Sequence, residues 1–166
     1  FSSSLRELIL SKVELSYEGF DTIGLYLPQN TLELLSISSC SSLGKTLERS
    51  SNFDFNTYHD KEPDFIKSEK CCFLRGLLQN TSLRKLLLVE CELKKEAVNI
   101  IEAISKNKNS NIDFIDFSKN EMDANHFVQI LSFIKSARSI GHLTLNSNKI
   151  GDLGFFYLQD YLKETK

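Results

Sequence analysis

Apolar residues fall in the pattern Leu-x-x-Leu-x-Leu at Leu5 ("LRELIL") and return, with substitutions, at Leu32 ("LELLSI"), Leu83 ("LRKLLL"), Ile112 ("IDFIDF") and Ile140 ("IGHLTL"). Strict alternation over about four to eight residues marks a half-buried strand, so each start predicts one. The starts lie 27, 51, 29 and 28 residues apart. Three spacings agree to within two residues, and the long one exceeds them by about 23, which predicts an insertion rather than a lost register. Aligned on these starts, the ninth position reads Val13, Cys40, Cys91, Asn120, Asn148 and the eleventh Leu15, Ser42, Leu93, Met122, Ile150. Met122 and Ile150 thus fall in a repeated apolar slot just past the strand. The nineteenth and twenty-third positions pair Ile23 with Leu27, Ile101 with Ser105, Ile130 with Ile134 and Leu158 with Leu162, with Ile104 covering for Ser105. Residues four apart share one helix face. Position fifteen (Gly19, Ala97, His126, Gly154) is mostly small, as close helix packing requires. Each unit reads as strand, turn, helix, turn. One such unit cannot enclose its own apolar face, but a stack of them can.

The register fails over residues 42–63, "SLGKTLERSSNFDFNTYHDKEP", which shows no 3.6 period and is rich in Ser, Asn and Asp. Its composition reads as an excursion from the stack. It is either a tolerated surface loop or a contact element; three aromatics, Phe53, Phe55 and Tyr58, favour the second, or cap an edge of the stack. A helix is predicted to resume over 64–80, with Asp64 after Pro63 as a start signal and Phe65, Ile66, Cys72, Phe73 and Leu77 near one face. A further helix, over 93–109, is basic at both ends.

The stretches "LRKLLLVECEL" (83–93), "IDFIDFSKNEM" (112–122) and "IGHLTLNSNKI" (140–150), with the period near 28, resemble the leucine-rich repeat, and the helical second half resembles its ribonuclease-inhibitor-like subfamily. The resemblance covers the chain apart from residues 42–63. It implies an α/β solenoid, a partial horseshoe with parallel strands on the concave side and helices on the convex side. The expected organisation is one domain, 1–166, of about five repeats starting near 5, 32, 83, 112 and 140, as part of a longer array. "FSSSLRELIL" has neither an initiator Met nor a basic segment leading into an apolar one.

A chain leaving a strand needs partners for its peptide groups, and an Asn side chain can both donate and accept. Asn120 and Asn148 are therefore expected to point inward and bond the loop backbone of their own and the adjacent unit, with Cys40 and Cys91 as small buried occupants of the same column. Catalytic or metal-binding cysteines would need clustered partners, and His59, His126 and His142 stand in no C-x-x-C or H-x-x-x-H spacing. The vicinal pair Cys71-Cys72 cannot easily reach disulfide geometry, so reduced thiols in a cytoplasmic setting are expected. Asn80-Thr81-Ser82 has the spacing of a glycosylation sequon but lies in a helix-to-strand turn.

Composition sets the remaining bounds. Apolar content is 41%, charged content 25% and net charge -2, which argues for neither nucleic acid nor an anionic membrane as partner, and no apolar run is long enough to span a bilayer. No nucleophile elbow, P-loop, zincin or dinucleotide fingerprint occurs. The nearest carboxylates, Asp113 and Asp116, sit on an open strand. The expectation is a non-catalytic module without cofactor or metal that binds a protein ligand.

On the strands, positions three, five and seven face away from the core: Glu7, Ile9, Ser11; Leu34, Ser36, Ser38; Lys85, Leu87, Val89; Phe114, Asp116, Ser118; His142, Thr144, Asn146. Ile9, Leu34, Leu87, Val89 and Phe114 are expected to form a contiguous apolar seam flanked by Lys85, Asp116 and Lys119, with His142 beyond. The alternatives are a GTPase-activating protein of the Ran-activator type, which the resemblance implies at the level of fold, and a ligand-sensing or autoinhibitory repeat domain of a larger signalling or actin-regulatory protein. Phe155, Phe156, Tyr157 and Tyr161 at one end and the Leu5–Leu10 strand at the other predict packing with further repeats or another domain.

Overall fold

The computed structural model describes residues 4–29, 31–48 and 72–164. Each start opens a strand two residues later: β1 Glu7–Ser11, β2 Leu34–Ser38, β3 Lys85–Val89, β4 Phe114–Asp116 and β5 His142–Thr144. All five pair in parallel in the order β1-β2-β3-β4-β5. The register joins residues of equal rank in each unit, so Leu8, Leu35, Leu86, Ile115 and Leu143 form one row across the sheet. A one-residue slip would turn every core aliphatic outward, which is why this register is so strongly specified.

Six helices occur among the described residues: α1 Tyr17–Tyr26, α2 Ser42–Glu48, α3 Cys72–Gln79, α4 Glu96–Lys106, α5 Ala124–Ile134 and α6 Gly151–Glu164. Five of them, α1, α3, α4, α5 and α6, pack in succession, each against the next, as the strands do. Leu35, Ile37, Leu86, Leu88 and Ile115 from the sheet meet Phe20, Leu27, Phe73, Leu77, Ile101, Ile104 and Ile130 from this side in one core. At roughly 1.5–3 kcal/mol per buried aliphatic side chain, this shared interior is the main force holding neighbouring units together. Met122 is buried in its slot, and Ile150 is half-buried.

The segment expected to leave the stack at residue 42 does not do so at once. Ser42–Glu48 is the helix α2, with Leu43, Gly44, Thr46 and Leu47 buried. Leu43 and Leu47 are four apart, and two aliphatics among small polar residues were too weak a period to read. Gly44 lies against the Glu92 carbonyl, where a Cβ would collide. The remainder of the insertion, with Phe53, Phe55 and Tyr58, lies outside the described residues, as do Phe65, Ile66 and Cys71.

Position fifteen is a tight contact in part of the stack: Ala97 is completely buried, and a Cβ on Gly154 would strike Ile150 and crowd Phe127 of α5. Gly19, by contrast, has only ordinary contact with Leu15, and His126 is half-buried. Away from this position, α1 and α3 cross backbone to backbone: a Cβ on Gly24 would strike the Cys72 carbonyl, and one on Gly76 the Gly24 carbonyl. At the β5 end, Phe155 is 68% exposed and Phe156 63%, whereas Tyr157 and Tyr161 are half-buried, the latter beneath the Lys135 ammonium at 5.7 Å. Leu162 is exposed rather than packed. No helix among the described residues is long and apolar enough to cross a membrane.

Candidate protein-binding face and its loop edge

Positions three, five and seven of the strands lie on the face opposite the helices. Pairing sets them in rows: Glu7, Leu34, Lys85, Phe114, His142, and beside it Ile9, Ser36, Leu87, Asp116, Thr144. Val89 has Ser38 as its neighbour on β2. The expected continuous apolar seam is therefore corrected to a checkerboard, in which every apolar residue meets polar ones across the strands. Across the strands the apolar residues are diagonal neighbours, Ile9 of Leu34, Leu34 of Leu87 and Leu87 of Phe114, the longer of the two cross-strand spacings, while Leu87 and Val89 follow one another along β3. The interruption is invisible along any one unit, because in-register pairing makes neighbours of residues with equal rank.

Ile9 is 63% exposed, Lys85 and His142 are exposed, and Leu34, Leu87, Val89, Phe114 and Asp116 are half-buried. The Phe114 ring stacks on His142, with centroids 6.0 Å apart and planes at 28°. Asp116 Oδ1 accepts the Ser118 N–H at 2.9 Å. Ser118 itself is buried and its hydroxyl has no hydrogen-bond partner, so it is withdrawn from the face. Beyond the strand ends runs a charged groove of about 510 Å³ between the loops, lined by Glu90, Glu92, Lys119, Glu121, Lys149 and three serines. Within it Ser39 donates to Glu90 at 2.9 Å, and Lys149 pairs with Glu121 at 3.3 Å.

Beneath this edge the ninth-position side chains form a ladder. Asn120 is completely buried. Its Oδ1 accepts from the backbone N–H of Cys91 (2.9 Å) and Leu93 (3.3 Å), and its Nδ2 donates to the carbonyls of Leu88 (2.6 Å) and Ser118 (3.1 Å). Asn148 repeats this one unit on, accepting from Asn120 (3.0 Å) and Met122 (3.1 Å) and donating to Phe117 (3.0 Å) and Leu145 (2.9 Å). The cysteines fill the column with weaker bonds. Cys91 Sγ donates to Ile37 (3.4 Å) or Val89 (3.3 Å), and Cys40 Sγ to Val13 (2.9 Å). Burial pushes the Cys91 thiol up to about 12. All three described cysteines are free thiols, and the half-buried Cys72 is also raised, first by burial and then by Asp21. The column is thus structural, and no ladder member reaches the open face.

No known family model matches the chain, and no curated protein matches it. Its architecture rests on its own geometry.

Two features of this edge escaped the sequence reading. The residue at position eight turns through the left-handed region in every unit: Lys12 (φ 55), Ser39 (51), Glu90 (58), Lys119 (59) and Ser147 (56). None is glycine, so each turn costs on the order of 1 kcal/mol that the ladder must offset. A second amide column stands where the helices return to the sheet. Asn80, 2% exposed, donates to the Leu27 carbonyl (2.6 Å) and accepts from the Leu83 N–H (2.8 Å). Asn107 donates to the carbonyls of Leu77 (2.9 Å) and Asn80 (2.7 Å). The signal was present, since these residues stand 27 apart, close to the unit length. With its amide nitrogen so engaged, Asn80 cannot accept a glycan in the folded protein.

Proposed function

We propose that this chain is a leucine-rich-repeat solenoid of the ribonuclease-inhibitor-like type and serves as a non-catalytic, cytoplasmic protein-interaction module that grips a protein partner with its open sheet face. The observation that carries this reading is the checkerboard itself. Half-buried Leu34, Leu87, Val89 and Phe114 alternate across the strands with Lys85, Ser36, Asp116 and His142. Such a surface offers apolar anchors with polar groups between them, and no helix among the described residues covers it. A few buried anchors carry most of the energy of a protein interface, while the surrounding contacts exclude water. Phe114, held against His142, and Leu87, on the adjacent strand, are the central anchors.

Replacing both Leu87 and Phe114 by alanine tests the proposal. Both are half-buried on the face and neither belongs to the shared core, so the fold and its urea midpoint should persist. In affinity capture from native extract the double variant should lose the partner that the parent chain retains. Retention of the same partner at the same yield overturns the reading.

A further inference from the structure

Charge on the open sheet face is gathered in one square. Lys85 pairs with Phe114 and Leu87 with Asp116, so these four side chains form two crossed diagonals, Leu87–Phe114 apolar and Lys85–Asp116 charged. Outside the square, positions three, five and seven of units two to five hold only Leu, Val, Ser, Thr, Asn and His142. Diagonal neighbours stand roughly 7–8 Å apart, and the apolar pair passes between the two charges. Among the described residues neither Lys85 nor Asp116 takes part in an ion pair. Two corners are held in place from within the chain. The Phe114 ring stacks on His142, and Asp116 Oδ1 accepts the Ser118 N–H, which leaves Oδ2 unengaged among the described residues. A half-buried, oriented carboxylate and an exposed ammonium, each unanswered, thus flank the two apolar anchors.

We infer that this square selects its protein partner, and the direction in which the partner lies, by crossed charges: one apolar side chain seats over Leu87 and Phe114, flanked by a carboxylate that meets Lys85 and an arginine that meets Asp116. The inference rests on the reading of the open face as a binding surface and names the chemistry that face accepts. Arginine suits the acidic corner better than lysine, because its planar fork can bond the free Oδ2 while its flat side stacks on the neighbouring Phe114 ring. At the opposite corner the flexible Lys85 meets a carboxylate as a point charge. An apolar seam alone would accept a segment in either direction. Turned end for end, an acid–apolar–arginine segment sets carboxylate against Asp116 and arginine against Lys85. Like charges brought together in a partly desolvated interface reject that arrangement.

The probe is a phage-displayed library of random peptides, selected on the full chain and counter-selected on the double variant Leu87→Ala, Phe114→Ala. Enriched clones should carry an acidic residue and an arginine on opposite sides of an apolar one. They should bind the charge-exchanged chain, Lys85→Asp with Asp116→Lys, at least about tenfold more weakly than the parent. The exchange also removes the bond to the Ser118 N–H, so Lys85→Glu is the second variant: it keeps that bond, lies at an exposed position and should weaken the same clones. Urea unfolding confirms that each variant is folded, and should the exchanged chain lose its transition, Lys85→Glu decides alone. Clones that need Leu87 and Phe114 but bind the parent and the charge variants equally overturn the inference and leave the binding face standing. A selection that yields no clone sensitive to the double alanine variant overturns both.

Discussion

The loops after β3 and β4 solve one geometric problem with different chemistry. Both turn through left-handed residues at positions eight and ten, Glu90 and Glu92 in one, Lys119 and Glu121 in the other, and the β3 loop adds a third at Lys94. In the β4 loop the buried slot holds Asn120 with four hydrogen bonds. The helix that follows is capped by Asp123, which accepts the His126 N–H at 3.0 Å while His126 Nδ1 accepts the Asp123 N–H at 3.2 Å. In the β3 loop the slot holds Cys91, and α4 begins after Lys95, which makes no side-chain cap. Its first residue, Glu96, is 2% exposed; Oε2 accepts from Asn99 at 2.6 Å, but Oε1 has no hydrogen-bond partner, its nearest cation being Lys95 at 4.0 Å. The backbone path is therefore imposed by stacking in register, and the side chains decide how well each loop is satisfied.

Substitutions that level this contrast should rank accordingly. Asn120→Ala removes both ends of a buried amide and orphans the N–H groups of Cys91 and Leu93, so stability should fall by about 3 kcal/mol. Urea unfolding checks this as a lower midpoint with an unchanged slope. Asp123→Ala strips an exposed N-cap and should cost about 1 kcal/mol, read in the same titration.

Glu96→Gln acts in the other direction. Burial raises the Glu96 pKa in the folded state, with the Asn99 bond and Lys95 opposing. The folded chain therefore holds the proton more tightly than the unfolded chain. The penalty of ionising Glu96 is absent below the ordinary carboxylate range and complete once pH passes its raised folded pKa. Across that window the parent chain loses stability as pH rises. Glu96→Gln should abolish this slope and be the more stable protein on its alkaline side, by under about 1 kcal/mol. Equal pH profiles for the two proteins would contradict it.

The smallest effect is chemical. With its thiol at about 12, Cys91 should carry roughly a thousandfold less thiolate than an ordinary cysteine and resist iodoacetamide at pH 8 until the chain unfolds. Mass spectrometry of the labelled peptides reads this directly.

Much of this contrast was visible along the chain. Leu83 and Ile112 set the strands, and position nine pointed inward for both Cys91 and Asn120, because a stacked unit repeats its burial at a fixed rank. What was hidden depends on contacts that no local period records. α2 shows only Leu43 and Leu47 as a helical signal; these enter the shared core, and Gly44 packs against the facing loop at Cys91 and Glu92. Gly24 meets Gly76 across an insertion, and neither residue stands at a position that repeats as glycine in the other units. The left-handed turn at position eight is occupied by Lys, Ser and Glu, none of which announces positive φ. The open face was identified residue by residue, but its polar interruption emerges only when the strands are laid side by side.

The amide ladder also bears on how such a chain can grow by duplication. A copied segment spanning residues 112–139 brings its own asparagine and can be inserted after itself, because it answers the donors of the segment before it and presents equivalent ones to the segment behind. A copy of residues 5–31 carries Val13 and would offer the turn ahead of it no side-chain acceptor, leaving only backbone bonds of the kind Lys12 makes to Ser38. A duplicated unit is therefore better satisfied when it carries asparagine at position nine than when it carries valine or cysteine there, a difference set by a single side chain.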